Sequence, residues 1–137
     1  MKKVDHIGVA VNSLDEALPY YTETLGLPLL GIEEVESEQV KVAFLDAGNL
    51  KIELLEPMSE KSAIHTFLEK KGPGMHHIAF GVESIQTRLD DLKENGVRLL
   101  HEQPKTGAGG ALVAFIHPKS SHGVLYELCE KQSEAKA

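Results

Sequence analysis

The sequence of 137 residues lacks features on which whole classes of proteins depend. It has no tryptophan, and its single cysteine, Cys129, cannot form an internal disulfide. No stretch approaches the roughly 18 consecutive apolar residues that suggest a membrane-spanning helix. Asp5, His6 and Asn12 interrupt the amino-terminal stretch before the apolar core of a signal peptide could form. We therefore expect a cytoplasmic protein without a membrane segment, held together by its packed core.

Basic residues are in the minority, since 14 Lys and Arg stand against 21 Asp and Glu, for a net charge of −7 with histidine neutral. They are also scattered along the chain, whereas nucleic-acid binding needs them clustered on one face. We therefore expect no nucleic-acid partner. The same balance means that an anionic substrate must be held by local positive charge, because the field of the whole molecule would repel it.

What the sequence does contain is an internal repeat. Shifting the chain by 71 residues, and by 74 near its end, superposes residues of the same type: His6 on His77, Phe44 on Phe115, and Glu53 on Glu127. Such a repeat predicts a structure built from two copies of one unit. We expect a single domain over residues 1–132, with module one at 1–71, module two at 75–130, and a flexible tail at 131–137.

The local signals follow the same order in both modules: a strand, a helix and three further strands. Ser13 and Ser84 are predicted N-caps of the two helices, Gly26 and Gly96 are predicted to end them, and Pro19 should distort the first. The predicted strands are 4–11, 29–35, 39–45 and 50–56, then 75–82, 97–102, 110–116 and 124–129. A further helix is predicted at 62–70, before the break at 72–74. The fold class is therefore α+β.

Each module carries one histidine and one carboxylate at equivalent places. His6 and His77 lie on the first strands, on faces otherwise lined by glycine and alanine, and Glu53 and Glu127 lie within apolar last strands. Imidazole and carboxylate together suit divalent ions from Mn²⁺ to Zn²⁺. A strand histidine can equally be a hydrogen-bonded scaffold residue, and a buried glutamate can be paired with a basic side chain. The pattern alone leaves both interpretations open.

Longer motifs carry a resemblance to a known family. They are residues 4–11 (VDHIGVAV), 51–57 (KIELLEP), 74–78 (GMHHI), 104–107 (PKTG), 115–119 (FIHPK) and 123–128 (GVLYEL). These resemble the vicinal oxygen chelate (glyoxalase-like) superfamily, in which paired βαβββ modules form a cupped sheet around a metal. The likeness covers nearly the whole chain, and the carboxy-terminal motifs are most similar to the methylmalonyl-CoA epimerase family.

The resemblance implies a ligand set of His6, Glu53, His77 and Glu127 for one divalent metal, which could be Co, Mn, Ni or Zn. It implies an isomerase that moves the α-proton of an acyl-CoA through an enolate, interconverting (R)- and (S)-methylmalonyl-CoA. Glu127 would act as one proton carrier. Lys41 is the nearest equivalent of a glutamate that serves as the second carrier in some relatives, although Gln39 or a bound water could take that role.

Two further implications concern the coenzyme and the assembly. Lys105 and Lys119 would hold coenzyme A phosphates, or else lie in solvated loops. The family habit favours a homodimer. His65, His101 and His122 are expected at the surface, and His117 is expected to serve as a loop scaffold.

Three alternatives fit part of the pattern. A lyase of the glyoxalase I type uses the same fold, ligand positions and enolate chemistry, so only substrate contacts separate it from an epimerase. Extradiol dioxygenases bind iron through two His and one Glu. With Glu53 as a fourth ligand, the metal would have too few open coordination positions for catechol and oxygen. A ligand-binding module of the same fold, without a metal or catalysis, typically lacks the ligand set.

Overall fold

The computed structural model describes residues 1–132. Residues 133–137, most of the predicted tail, lie outside the described residues. The described chain divides into two compact units, one formed by residues 6–76 and the other by residues 1–5 together with 77–132. The division falls inside the first strand of each repeat. The predicted domain limits of 1–132, 1–71 and 75–130 stay predictions. Within the described part, no helix is both long and apolar enough to cross a membrane.

Module one follows the predicted order. Its elements are β1 (Lys3–Ala10), α1 (Leu14–Pro19), β2 (Leu29–Val35), β3 (Val40–Asp46) and β4 (Lys51–Pro57), followed by the connecting helix α2 (Ala63–Lys71). The strands lie in the order β2-β3-β4-β1, with β1 and β4 parallel and the other pairs antiparallel. Leu14 of α1 packs with Ala43, Leu45 and Leu54 of the sheet in a buried core.

The distortion predicted at Pro19 is present as a change of helix type. The α-helix ends at Pro19 and continues as a π-helical turn, Tyr20–Thr24. Proline has no N–H to donate to the preceding turn, so the regular α-helical ladder is interrupted there. Leu25 then donates its N–H to the Tyr20 carbonyl at 2.9 Å, and Gly26 ends the turn with a φ of +76°.

Module two repeats the arrangement. Its elements are β5 (Gly74–Gly81), α3 (Ile85–Glu94), β6 (Lys105–Thr106), β7 (Leu112–Ile116) and β8 (Tyr126–Glu130). The order is β5-β8-β7-β6, with β5 and β8 parallel and the other pairs antiparallel. Ile85 and Leu89 of α3 pack against Ala114, Ile116 and Leu128 in a second buried core.

The strand predicted at 97–102 is wrong. Only Leu99 makes a bridge to β7, and the strand that pairs beside β7 is the two-residue β6. The backbone N–H of Arg98 donates instead to the Ser120 hydroxyl at 2.9 Å, and Pro104 has no N–H to offer a ladder. Residues 98–101 therefore contact β7 through isolated hydrogen bonds.

Each module ties the start of its helix to the end of its last strand. Glu56 accepts the N–H of Leu14 at 2.7 Å, and Glu130 accepts the N–H of Ile85 at 2.9 Å. The predicted caps Ser13 and Ser84 accept a second N–H two residues further into each helix, both at 3.3 Å. Two of the four N–H groups that a helix start leaves without an intrahelical partner are thereby satisfied in each copy.

Candidate metal centre and active site

In module one, strand pairing brings a histidine and a carboxylate to the same face. Gly8 of β1 is the register partner of Glu53 on β4, and His6 shares the face of Gly8 because side chains alternate along a strand. His6 Nδ1 lies 3.3 Å from a carboxylate oxygen of Glu53, and both side chains are buried. Gly8 offers no side chain that would separate them.

Module two builds the same pair independently. Ala79 of β5 is the register partner of Glu127 on β8, and His77 lies two residues before Ala79 on the same face. His77 Nε2 lies 2.9 Å from Glu127 Oε1, and both side chains are buried. Across the strand pair, Phe115 of β7 faces Glu127, and its ring meets the His77 ring edge-on at 5.4 Å between centroids.

The geometry of each pair fits a metal ligand pair. Two donor atoms that each lie about 2.1 Å from one ion, at an angle of about 90° to 110°, are about 3.0 to 3.4 Å apart. The observed separations are 2.9 Å and 3.3 Å. Either imidazole nitrogen can bind a metal, and a set of imidazoles and carboxylates suits several divalent ions.

Lys41 does not share the face of Glu53. On β3 it alternates in phase with Ala43 and Leu45, which belong to the buried core beneath α1. The register partner of Glu53 is Phe44, on the opposite face of β3. The position of Lys41 therefore gives no support to its predicted role as the second proton carrier.

The two lysines expected to hold coenzyme A lie in module two. Lys105 is half-buried in β6, and Lys119 is exposed in a short 3₁₀ turn, Pro118–Ser121. Between β6 and β7 the chain turns through Gly109 and Gly110, which both have positive φ. Non-glycine residues rarely adopt that backbone conformation.

Three of the other histidines, His65, His117 and His122, are scaffold or surface residues. His117 is a scaffold residue as predicted, because its Nδ1 accepts the N–H of Lys119 at 3.0 Å. Desolvation, followed by the charges of Arg98 and Lys119, lowers the pKa of His117 below its usual value. His122 is exposed, and His65 pairs with Glu69 at 3.4 Å.

His101 is a residue whose role the sequence did not reveal. It is half-buried, its Nδ1 accepts the N–H of Phe115 at 3.3 Å, and its ring lies edge-on to the Phe115 ring at 5.7 Å. The expectation that His101 is a plain surface residue was wrong. No signal in the sequence could have shown this, because the contact depends on the irregular path of residues 98–101.

The comparisons with known proteins agree with this fold. A family model of the glyoxalase/bleomycin resistance protein/dioxygenase superfamily matches residues 5–115. The chain belongs to this superfamily, and the prediction of an α+β, glyoxalase-like fold from two βαβββ modules is confirmed.

Within the superfamily, several of the proteins to which the chain is similar are epimerases. The chain is 42% identical to an ethylmalonyl-CoA/methylmalonyl-CoA epimerase of Cereibacter sphaeroides, over 92% of this chain and 96% of that protein. The crystal structure of methylmalonyl-CoA epimerase from Mycobacterium tuberculosis matches with a TM-score of 0.92 at 36% identity, covering 98% of this chain and 92% of the other. A methylmalonyl-CoA epimerase in complex with methylmalonyl-CoA and NH₄⁺ matches with a TM-score of 0.91 at 37% identity, covering 97% and 96%.

The alternative of a glyoxalase I type enzyme finds weaker support. A probable lactoylglutathione lyase of Synechocystis is 28% identical over 94% of this chain and 95% of its own length.

Proposed function

We propose that the chain is a methylmalonyl-CoA epimerase, an isomerase that interconverts the (R) and (S) forms of an acyl-CoA thioester. The observation that carries the proposal is the buried pair of His77 and Glu127 at 2.9 Å, which module one repeats with His6 and Glu53. Relatives with this activity match at 36% to 42% identity over nearly their whole lengths.

The four paired residues together would bind one divalent metal, with two ligands from each module. The donor set favours no single ion among Co²⁺, Mn²⁺, Ni²⁺ and Zn²⁺. When bound, the ion would act as a Lewis acid that stabilises the negative charge developing on the substrate as the α-proton leaves. It would also supply the positive charge that attracts a malonyl carboxylate to a chain whose net charge is −7.

The proposed proton transfers use the Glu127 carboxylate and not Lys41, because Lys41 lies on the core side of β3. Glu127 would take the α-proton from one face of the substrate carbon, breaking the C–H bond and leaving the electron pair in the enolate. Gln39 donates its amide to Glu36 at 3.1 Å, and an amide is a poor proton carrier at neutral pH. We therefore assign the second carrier to a bound water, which returns a proton to the opposite face. Exchange of the Glu127 proton with the resulting hydroxide restores the enzyme.

The coenzyme would be held at the loops of module two. Lys105 and Lys119 are the proposed contacts for its phosphates, because an ammonium group pairs with phosphate as a mobile point charge. Lys119 is exposed and within reach of solvent. Replacing either lysine by methionine should raise KM for the CoA substrate while kcat changes little, because such contacts are made equally in the ground and transition states.

Exchange of the α-proton provides the test of this function. Proton NMR of (S)-methylmalonyl-CoA in D₂O, with added Co²⁺ or Mn²⁺, should show α-deuteration together with epimerisation. Glu127→Gln should lower the rate by at least about 100-fold. The matched control is Glu130→Gln, which removes the same charge from the same strand but on the face that caps α3. Absence of exchange in the wild type would overturn the proposal, and turnover of the glutathione hemithioacetal instead would support the lyase.

We also propose a homodimer in the cytoplasm. Leu29, Leu30 and Ile32 of β2, the outermost strand of module one, are between 43% and 57% exposed, and a second copy of the chain would cover them. Light scattering after size-exclusion chromatography should give twice the chain mass, and Ile32→Lys should give a monomer. Cell fractionation would test the location.

A further inference from the structure

Phe115 lies between two histidine rings in module two. Its ring meets His77 edge-on at 5.4 Å with an interplanar angle of 83°, and meets His101 at 5.7 Å with an angle of 66°. His77 in turn contacts Glu127 at 2.9 Å. The three rings therefore form a continuous row that ends at a carboxylate assigned to catalysis and metal binding.

The backbone of Phe115 is held by the segment that replaces the predicted strand. Its N–H donates to His101 Nδ1 at 3.3 Å, and its carbonyl accepts the N–H of Leu100 at 2.9 Å. Both backbone groups therefore point away from β8. Phe115 and Glu127 thus form a non-hydrogen-bonded pair of the antiparallel ladder, the type in which the two side chains approach more closely.

Phe115 does not belong to the core beneath α3. Its neighbours Ala114 and Ile116 are both buried in that core, so alternation places Phe115 on the other face, with Glu127. The repeat keeps this arrangement, because Phe44 occupies the equivalent position and is the register partner of Glu53. In both modules a phenylalanine therefore lies directly across from the paired carboxylate.

We propose that Phe115 is a positioning residue that fixes the His77 ring against Glu127, and that His101 holds Phe115 in place. The inference deepens the proposed function and rests on it for the metal. An imidazole on a strand can rotate about two side-chain bonds, and an edge-on aromatic neighbour limits this rotation. Groups that orient metal ligands in this way typically change metal affinity by about 10- to 100-fold when they are removed.

Two phenylalanine variants separate positioning from general packing. Phe115→Leu should weaken Co²⁺ binding about tenfold in a calorimetric titration and should alter the visible absorption of the bound Co²⁺. The matched control is Phe80→Leu, because Phe80 packs on the core of the same module and contacts Tyr126 at 5.1 Å. That variant should lower the melting temperature but leave the Co²⁺ affinity and spectrum as in the wild type.

Two variants of His101 test the second half of the proposal. His101→Asn keeps an acceptor near the position of Nδ1, whereas His101→Ala removes it. Amide hydrogen exchange of Phe115 should therefore be faster in His101→Ala than in His101→Asn, and the loss of Co²⁺ affinity should be larger in the alanine variant. Equal exchange and equal affinity in the two variants would overturn the role of His101.

The metal-free protein distinguishes failure of this inference from failure of the proposed function. If the wild type binds no Co²⁺, the proposed metal site is wrong, but the His77 ring can still be followed by NMR. Its Nε2 proton, held by Glu127, should exchange slowly in the wild type and in Phe80→Leu and rapidly in Phe115→Leu. If Phe115→Leu retains both slow exchange and wild-type Co²⁺ affinity, the positioning role of Phe115 is refuted while the metal site stands.

Discussion

Replacing Glu130 by alanine should destabilise the protein through the start of α3. Its carboxylate accepts the N–H of Ile85 at 2.9 Å. A hydrogen bond to a charged group contributes about 1.5 to 3 kcal/mol, and a carboxylate near a helix start gains about 0.3 to 1 kcal/mol from the helix dipole. Because the contact is only partly buried and Ser84 still caps the helix, we expect Glu130→Ala to lower the free energy of unfolding by about 2 kcal/mol.

This loss of free energy corresponds to a lower melting temperature. An unfolding entropy of about 2.1 cal/mol/K per residue gives roughly 0.29 kcal/mol/K for 137 residues, so 2 kcal/mol corresponds to about 7 °C. Glu130→Gln keeps an acceptor oxygen and loses only the charge, so its shift should be about 2 to 3 °C. Differential scanning calorimetry in the presence of a chelator is the measurement, because bound metal would itself stabilise the folded state.

The control is Glu83→Ala, which removes an exposed carboxylate close to the start of the same helix. It should move the melting temperature by less than about 2 °C, since exposed substitutions usually change stability by less than about 0.5 kcal/mol. The equivalent variant Glu56→Ala should behave like Glu130→Ala, because Glu56 accepts the N–H of Leu14 at 2.7 Å. The reasoning is refuted if Glu130→Ala and Glu130→Gln have the same melting temperature, or if the melting temperature of neither differs from that of Glu83→Ala.

Three further predictions test the site, the core and a titrating group. His77→Ala should reduce bound metal, measured by elemental analysis, from about one ion per chain to less than about a tenth of that, while circular dichroism still shows a folded protein; retained metal would contradict the assignment. Leu89→Ala, at a fully buried position, should lower the free energy of unfolding in urea by about 2 to 5 kcal/mol. His117 has a lowered pKa, so the unfolded chain binds its proton more readily. Stability should therefore fall as the pH drops below about 6.5, and His117→Asn, which keeps a capping oxygen, should reduce this dependence in melts at several pH values.

The repeat made most of the fold predictable. Because the pattern occurs twice, each strand and helix is predicted once in each module, and the alternation and the helix caps agree between the two. Strand β2 begins and ends where it was predicted, at Leu29–Val35, and both serine caps accept the expected N–H groups. The same doubling singled out one histidine and one carboxylate in each module, because these residues recur at equivalent places in the repeat.

The errors came from contacts that no periodicity encodes. Both faces of β3 are largely apolar, so alternation alone could not show that Lys41 lies on the core side with Ala43. The segment 97–102 contains apolar residues suited to a strand. The N–H of Arg98, however, donates its hydrogen bond to the hydroxyl of Ser120, which lies 22 residues away in the sequence. The role of His101 follows from that same displacement.

The spacing of two acidic residues explains how one short strand serves both the site and the fold. Glu53 and Glu56 are three residues apart on β4, as are Glu127 and Glu130 on β8, so the members of each pair point to opposite faces. One carboxylate meets a histidine, and the other accepts the first N–H of a helix. The same short strands therefore serve the proposed centre and the stability of each module.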